Sequence, residues 1–217
     1  LAGRGVAILI ALSVAIFLFT GLKVFPSEEE FKALNVFGMV YLFSIVAIMF
    51  MRVRFGEAPI PWSQDLDRRA LGLVLVGLVG VLAVSTVATS FFFTSIIYVP
   101  RFSVQLASLP QVASDVVYQF TVVAPAEEFA VLAIAMGLYK GIPRLQEPIF
   151  ALGASRLLWA VAHGYLAYGA QWNLLAAAFL AGLVMSYLML ETRSILTPWL
   201  IHGAYNSLIV LKQAGLL

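Results

Sequence analysis

Seven predominantly apolar runs, each of 18 residues or more, follow one another along the chain, and no other feature restricts its fold so tightly. A run of about 18 or more apolar residues spans a hydrocarbon layer as a helix, because each backbone N–H and C=O must find its partner within the segment. The runs are Gly5–Val24, Ala33–Met51, Ala70–Val99, Val112–Tyr139, Pro148–Tyr168, Trp172–Leu190 and Ser194–Leu211. The chain is therefore predicted to be all-α, a polytopic helical membrane protein with about seven transmembrane helices. Hydrophobic residues at 62% and charged residues at 11% of 217 exclude an ordinary soluble domain. We expect one transmembrane domain over residues 1–217, with N-terminal helices in 1–111 and a four-helix core in 112–217. The first run follows Arg4, is long enough to span and lacks a small-x-small cleavage site, so it is read as a helix rather than a signal peptide. The third is too long for a perpendicular helix and should tilt or project, with Pro100–Pro110 as an interfacial connector.

The charged residues that remain fall mainly in the connections. Arg4, Arg52, Arg54, Arg68, Arg69, Lys140, Arg144, Arg156 and Arg193 group on one side of a seven-span arrangement. Only Lys23, Lys32, Arg101 and Lys212 group on the other. Nine against four places the first side, and with it the N-terminus, in the cytoplasm. The net charge of +2 arises from these loops, so no nucleic-acid partner is inferred. The chain has no cysteine, which removes disulfides, thiolate ligands and a thiol nucleophile together.

Against that background the segment Pro125-Ala126-Glu127-Glu128-Phe129 stands out. An ionisable group at mid-bilayer costs about 2.5–3.5 kcal/mol on insertion scales, so two adjacent carboxylates mark a cavity or a protein partner. The plainer alternative is a helix that starts late, at Pro125, with both glutamates favoured in its first turn by the helix dipole. Both histidines of the chain, His163 and His202, also lie in spans of the C-terminal half, where Asn206 shares a helical face with His202 and Trp159 with His163. Counting from the hairpin at Arg144, Glu127 is 17 residues before and His163 is 19 after, which sets them level. Asn206 should reach a similar depth, with His202 one turn shallower. Ala178, Gly182 and Ser186 form a small-residue seam for helix packing. Thr86, Ser90 and Thr94 recur every four residues and should bond back to their own helix.

Three chemistries can use such a set. A carboxylate and a histidine can activate water for attack on an amide, with His202 and Asn206 stabilising the oxyanion. Glu127, His163 and His202 can ligate zinc, although the H-E-x-x-H pattern is absent. The groups can also form the ion pathway of a transporter, for which no inverted repeat is found. No serine or cysteine has a nucleophile's context.

The order Glu127-Glu128, then Trp159-x-x-x-His163, then His202-x-x-x-Asn206 resembles the CPBP family of intramembrane proteases. These are relatives of the type II CAAX prenyl endopeptidase and of bacteriocin-processing or immunity proteins. The family pattern is Glu-Glu-x-x-x-Arg, Phe-x-x-x-His and His-x-x-x-Asn or Asp, and the resemblance covers about Val112 to Leu211. It implies an intramembrane endopeptidase, glutamic or metallo-type, acting within the lipid bilayer on a membrane-associated peptide or protein, a class that includes CAAX-type substrates. It also implies Glu127 and His163 as water activators and His202 with Asn206 as oxyanion ligands, with no cofactor expected and zinc as the alternative. Trp159 replaces the family's Phe, and Leu132 stands where the family has Arg. The latter departure keeps open a non-catalytic member acting as an interaction or immunity subunit. Leu132 lies 12 residues before Arg144 and Arg156 lies 12 after, so Arg156 is the candidate to replace the missing arginine and pair with Glu128.

Overall fold

A computed structural model describes residues 2–24, 30–56, 60, 67–91, 109–161 and 172–217. These residues build α1 (Ala2–Val24), α2 (Glu30–Phe55), α3 (Arg68–Phe91), α4 (Leu109–Tyr118), α5 (Ala124–Gly141), α6 (Pro148–Val161), α7 (Trp172–Thr192) and α8 (Leu196–Gln213). A π-helical segment, Gln119–Val123, joins α4 to α5, so the two form one rod and the described residues make seven rods. Among the described residues four stretches are long and apolar enough to cross a membrane: Phe37–Phe55, Arg68–Ala88, Leu109–Gly141 and Leu175–Thr192. Gly3–Ile16 and Pro148–Val161 are apolar but shorter within the described residues. The protein is a helical membrane protein, as the apolar runs predict. The far ends of the third and fifth predicted spans, and the connector Pro100–Pro110 up to residue 108, lie outside the described residues.

The order of packing follows from side-chain size. Every residue of α5 from Ala124 to Gly137 is buried, because α1, α2, α6 and α8 all pack against it. On α1, Ala7, Ala11, Val14 and Ala15 form the buried stripe, while Val6, Leu9, Leu12 and Ile16 face outward. Apolar residues on both faces suit a helix with protein on one side and lipid on the other. α1 and α5 approach closely through small residues, since a Cβ on Gly137 would lie 2.6 Å from Ala11 Cβ and 2.7 Å from the Ala7 carbonyl. α3 packs on α7 and α8, with Gly77 set against Ile201 and Leu188. Thr86 Oγ1 donates to the Leu82 carbonyl at 2.8 Å, the back-bond expected of it.

The junction of α4 and α5 decides where the glutamates point. The Ala124 N–H bonds the Gln119 carbonyl, five residues back, instead of the usual four. Pro125 has no N–H, so a regular ladder cannot be continued through this position. Glu127 does fall in the first turn of α5, yet α5 continues α4 without a break. The late-start alternative therefore describes the register of the helix and not its beginning. Such single π segments recur at functional sites.

Candidate active site

Four elements bring ionisable and polar groups together around α5. Glu127 and Glu128 are both buried, as are Arg156 and Trp159 on α6, His202 on α8 and Gln119 in the π segment. Adjacent residues on a helix diverge by about 100° (3.6 residues per turn), so the two carboxylates reach different neighbours.

Glu128 faces α6. Arg156 Nη1 donates to its Oε1 at 3.0 Å and Nη2 donates to Oε2, a two-point grip that fixes the plane of the carboxylate. The guanidinium is completely buried, and its Nε donates to Ser186 Oγ on α7 at 3.1 Å. Room for the arginine stem comes from Gly182, where a Cβ would stand 2.7 Å from Arg156 Cδ. The small seam Ala178, Gly182 and Ser186 thus admits a charged side chain as well as a helix. Ser155 Oγ, next in sequence, donates to the Val131 carbonyl at 2.7 Å and ties α6 to α5 at the same level.

Glu127 faces the other way, toward Trp159 and His202. Trp159 Nε1 donates to its Oε2 at 2.7 Å. His202 bridges the two glutamates: Nδ1 lies 2.9 Å from Glu128 Oε1, and Nε2 lies 3.7 Å from Glu127 Oε2. A carboxylate gripped by two guanidinium N–H groups offers only acceptors, so His202 Nδ1 carries the proton of that bond. Nε2 is then the nitrogen turned toward Glu127. The Trp159 and His202 rings meet edge to face, 5.5 Å apart.

Asn206 is displaced from its expected level. Its Nδ2 donates to Gln119 Oε1 at 2.9 Å, two turns before Glu127, and His202 is the residue level with the glutamates. The reason is that α8 begins already deep against α5: Trp199, in its first turn, meets the Phe129 ring. His163 lies outside the described residues. Gln119 and Ser186 escape a sequence reading. A lone amide two turns before the acid pair is the only trace of the first, and the second reads as packing.

Among the described residues no three His, Asp or Glu side chains gather as a metal-binding group. Of the zinc set considered from sequence, Glu127 and His202 meet and His163 is not described.

The helices that carry this cluster match a known family. Residues 109–208 match the model described as type II CAAX prenyl endopeptidase Rce1-like. The site-bearing segment is similar to this family. The match covers a little under half of the chain and supports the resemblance drawn from the motifs. No curated protein and no solved structure matches the chain. Within the endopeptidase-like segment the two departures from the family pattern have structural counterparts. The buried Leu132 leaves the family's arginine position apolar, and Arg156 delivers a guanidinium to Glu128 from the neighbouring helix. Tryptophan in place of phenylalanine adds an N–H donor to Glu127.

Proposed function

We propose that the protein is an intramembrane endopeptidase that hydrolyses a peptide bond of a membrane-associated, CAAX-type substrate with water activated by Glu127. The observation that carries this reading is the division of labour between the glutamates. Both oxygens of Glu128 are held by Arg156, with His202 on one of them. Glu127 Oε2 instead accepts from Trp159 Nε1 and lies 3.7 Å from His202 Nε2, and among the described residues no cation grips its carboxylate plane as Arg156 grips that of Glu128. Amide hydrolysis needs a base near the attacking water, a donor for the developing oxyanion and a proton for the leaving amine. Glu127 is assigned to take the proton of the water as its oxygen bonds to the carbonyl carbon. His163 is assigned to share that water and to relay the proton taken up by Glu127 to the leaving amine as the C–N bond breaks, so that both side chains return to their starting forms. His202 is assigned to the oxyanion through an Nε2–H while its Nδ1–H stays anchored on Glu128. The amide of Asn206, bonded to Gln119 in this structure, is assigned to join it by exchanging that partner when substrate binds. No step in this scheme uses a metal, and activity is expected to persist in a zinc chelator.

The family's printed description supplies the substrate class, and the buried site supports a substrate that enters from the lipid. The test uses purified protein in detergent with an internally quenched farnesylated peptide ending in a CAAX sequence, and the same peptide without the lipid. Cleavage of the farnesylated peptide is expected, and Glu127→Gln should lower it by at least 100-fold while the protein stays folded. Asn206→Ala should slow it less severely. Absence of cleavage by the wild-type protein, or full activity in Glu127→Gln, would overturn the assignment.

A further inference from the structure

The π segment that precedes the glutamates contains a carbonyl without its helical donor. Ala124, the usual partner of Phe120, bonds Gln119 instead, and the next residue, Pro125, has no N–H. The Phe120 carbonyl would be left unsatisfied in a half-buried position. Trp199 of α8 fills the vacancy: its Nε1 donates to the Phe120 carbonyl at 2.5 Å. Two further residues on the same stripe of α8 hold this segment. Gly203, four residues on, lets the Phe120 ring lie so close that a Cβ would stand 2.6 Å from it. Asn206, seven residues on, bonds Gln119. α8 therefore grips the π segment by one carbonyl, one ring and one amide, while His202 on the adjoining face meets both glutamates.

We infer that Trp199 is a positioning residue, whose indole N–H stabilises the π segment and thereby fixes the angular placement of Glu127 and Glu128 on α5. One residue inserted into a helix turns all that follows by about 100° relative to what precedes it. Loss of the π geometry would swing both carboxylates away from Trp159, Arg156 and His202. A plain packing role for Trp199, against Phe129 at 6.4 Å, would need the ring and not its N–H. The inference deepens the peptidase reading, and its tests use no substrate, so a failure of that reading leaves their outcome unaffected.

The test is a cycle of Trp199→Phe and Pro125→Ala. Phenylalanine keeps a ring and removes the donor; alanine at 125 provides a backbone N–H that can serve the orphaned carbonyl. In the native background Trp199→Phe should lower the unfolding midpoint in detergent by about 2–10 °C. In the Pro125→Ala background the same change should cost less than half of that. The second measurement is the Nδ1–H resonance of His202 in ¹⁵N-histidine-labelled protein, identified by its absence from His202→Gln. It should shift in Trp199→Phe and return toward its native position in the double variant, since it reports where Glu128 stands. A merely structural tryptophan would not restore that signal through a change on α5. Equal costs in the two backgrounds, or an unmoved His202 resonance, would overturn the inference. Should Trp199→Phe fail to fold, recovery of folded protein in the double variant supports it, and no recovery overturns it.

Discussion

At the scale of single residues, the exchange of an arginine between helices explains how a charged cluster survives in an apolar interior. Glu128 is buried, and a buried charge that loses its partner typically costs about 3–5 kcal/mol. The family's motif places the partner one turn along the same helix, at the position of Leu132; here the guanidinium comes from α6 and is held by Ser186. Arg156→Leu should therefore destabilise the protein by about 3–5 kcal/mol, read as a lowered unfolding midpoint. Leu132→Arg in that background restores a guanidinium within one turn of Glu128, and should recover a substantial part of the loss. Leu132→Arg alone places two cations on one carboxylate and should destabilise. If the double variant is no better than Arg156→Leu, the two positions are not interchangeable. This pairing was legible in the sequence, because equal spacing from a hairpin sets two residues level. The orientation of Asn206 was not, because counting from a helix end assumes that all ends lie at one depth.

At the scale of elements, α7 and the α4–α5 rod show two kinds of information that a one-dimensional pattern carries unequally. The small residues of α7 announce a close approach, but they do not say to what. The Arg156 stem lies in the notch at Gly182, and its head bonds Ser186 one turn away. Gly182→Ala should consequently destabilise by about 1–3 kcal/mol, the usual cost of overfilling a packed interior. Gly80→Ala is the control, since a Cβ there would meet Val184 at 3.5 Å, an ordinary contact. A thermal unfolding series in detergent compares them, and equal midpoints would remove the notch from the account. The π segment is harder to read. Its cause is visible as Pro125, yet proline permits a kink, a break or a change of register, and only the neighbouring helix selects among them. α8 makes that selection here through Trp199, Gly203 and Asn206, so the register of α5 depends on a helix about 75 residues away in sequence.

At the scale of the whole molecule, the uneven distribution of basic residues becomes a property of one end, except for Arg156, which the charge count groups with the cytoplasmic side and which is instead buried against Glu128. Lys140 Nζ, at the end of α5, donates to the Phe55 carbonyl at the end of α2 at 3.0 Å. Gly3 packs on the Phe55 ring, and a Cβ on Gly141 would lie 3.2 Å from the Arg4 carbonyl. The start of α1 and the ends of α2 and α5 thus share a face, with Arg4, Arg52, Arg54, Lys140 and Arg144 on or beside it. Arg69 and Glu191, 3.7 Å apart, likewise set the start of α3 level with the end of α7. The α4–α5 rod runs from Leu109 to Gly141, about 50 Å at 1.5 Å per residue, and the Asn206 bond to Gln119 turns the far end of α8 toward its Leu109 end. Lys212 should then lie on the face opposite Lys140. Because excess Lys and Arg is retained in the cytoplasm, we assign the Arg54 and Arg144 face to that side, together with the N-terminus of α1. The native chain has no cysteine, so single cysteines can be introduced without a background. Arg54→Cys and Arg144→Cys should react with a membrane-impermeant maleimide only after the cytoplasmic side is opened, and Lys212→Cys should react in intact cells. Labelling of residues 54 and 144 from opposite sides would contradict the shared face, whereas joint labelling from outside would preserve the fold and reverse its orientation.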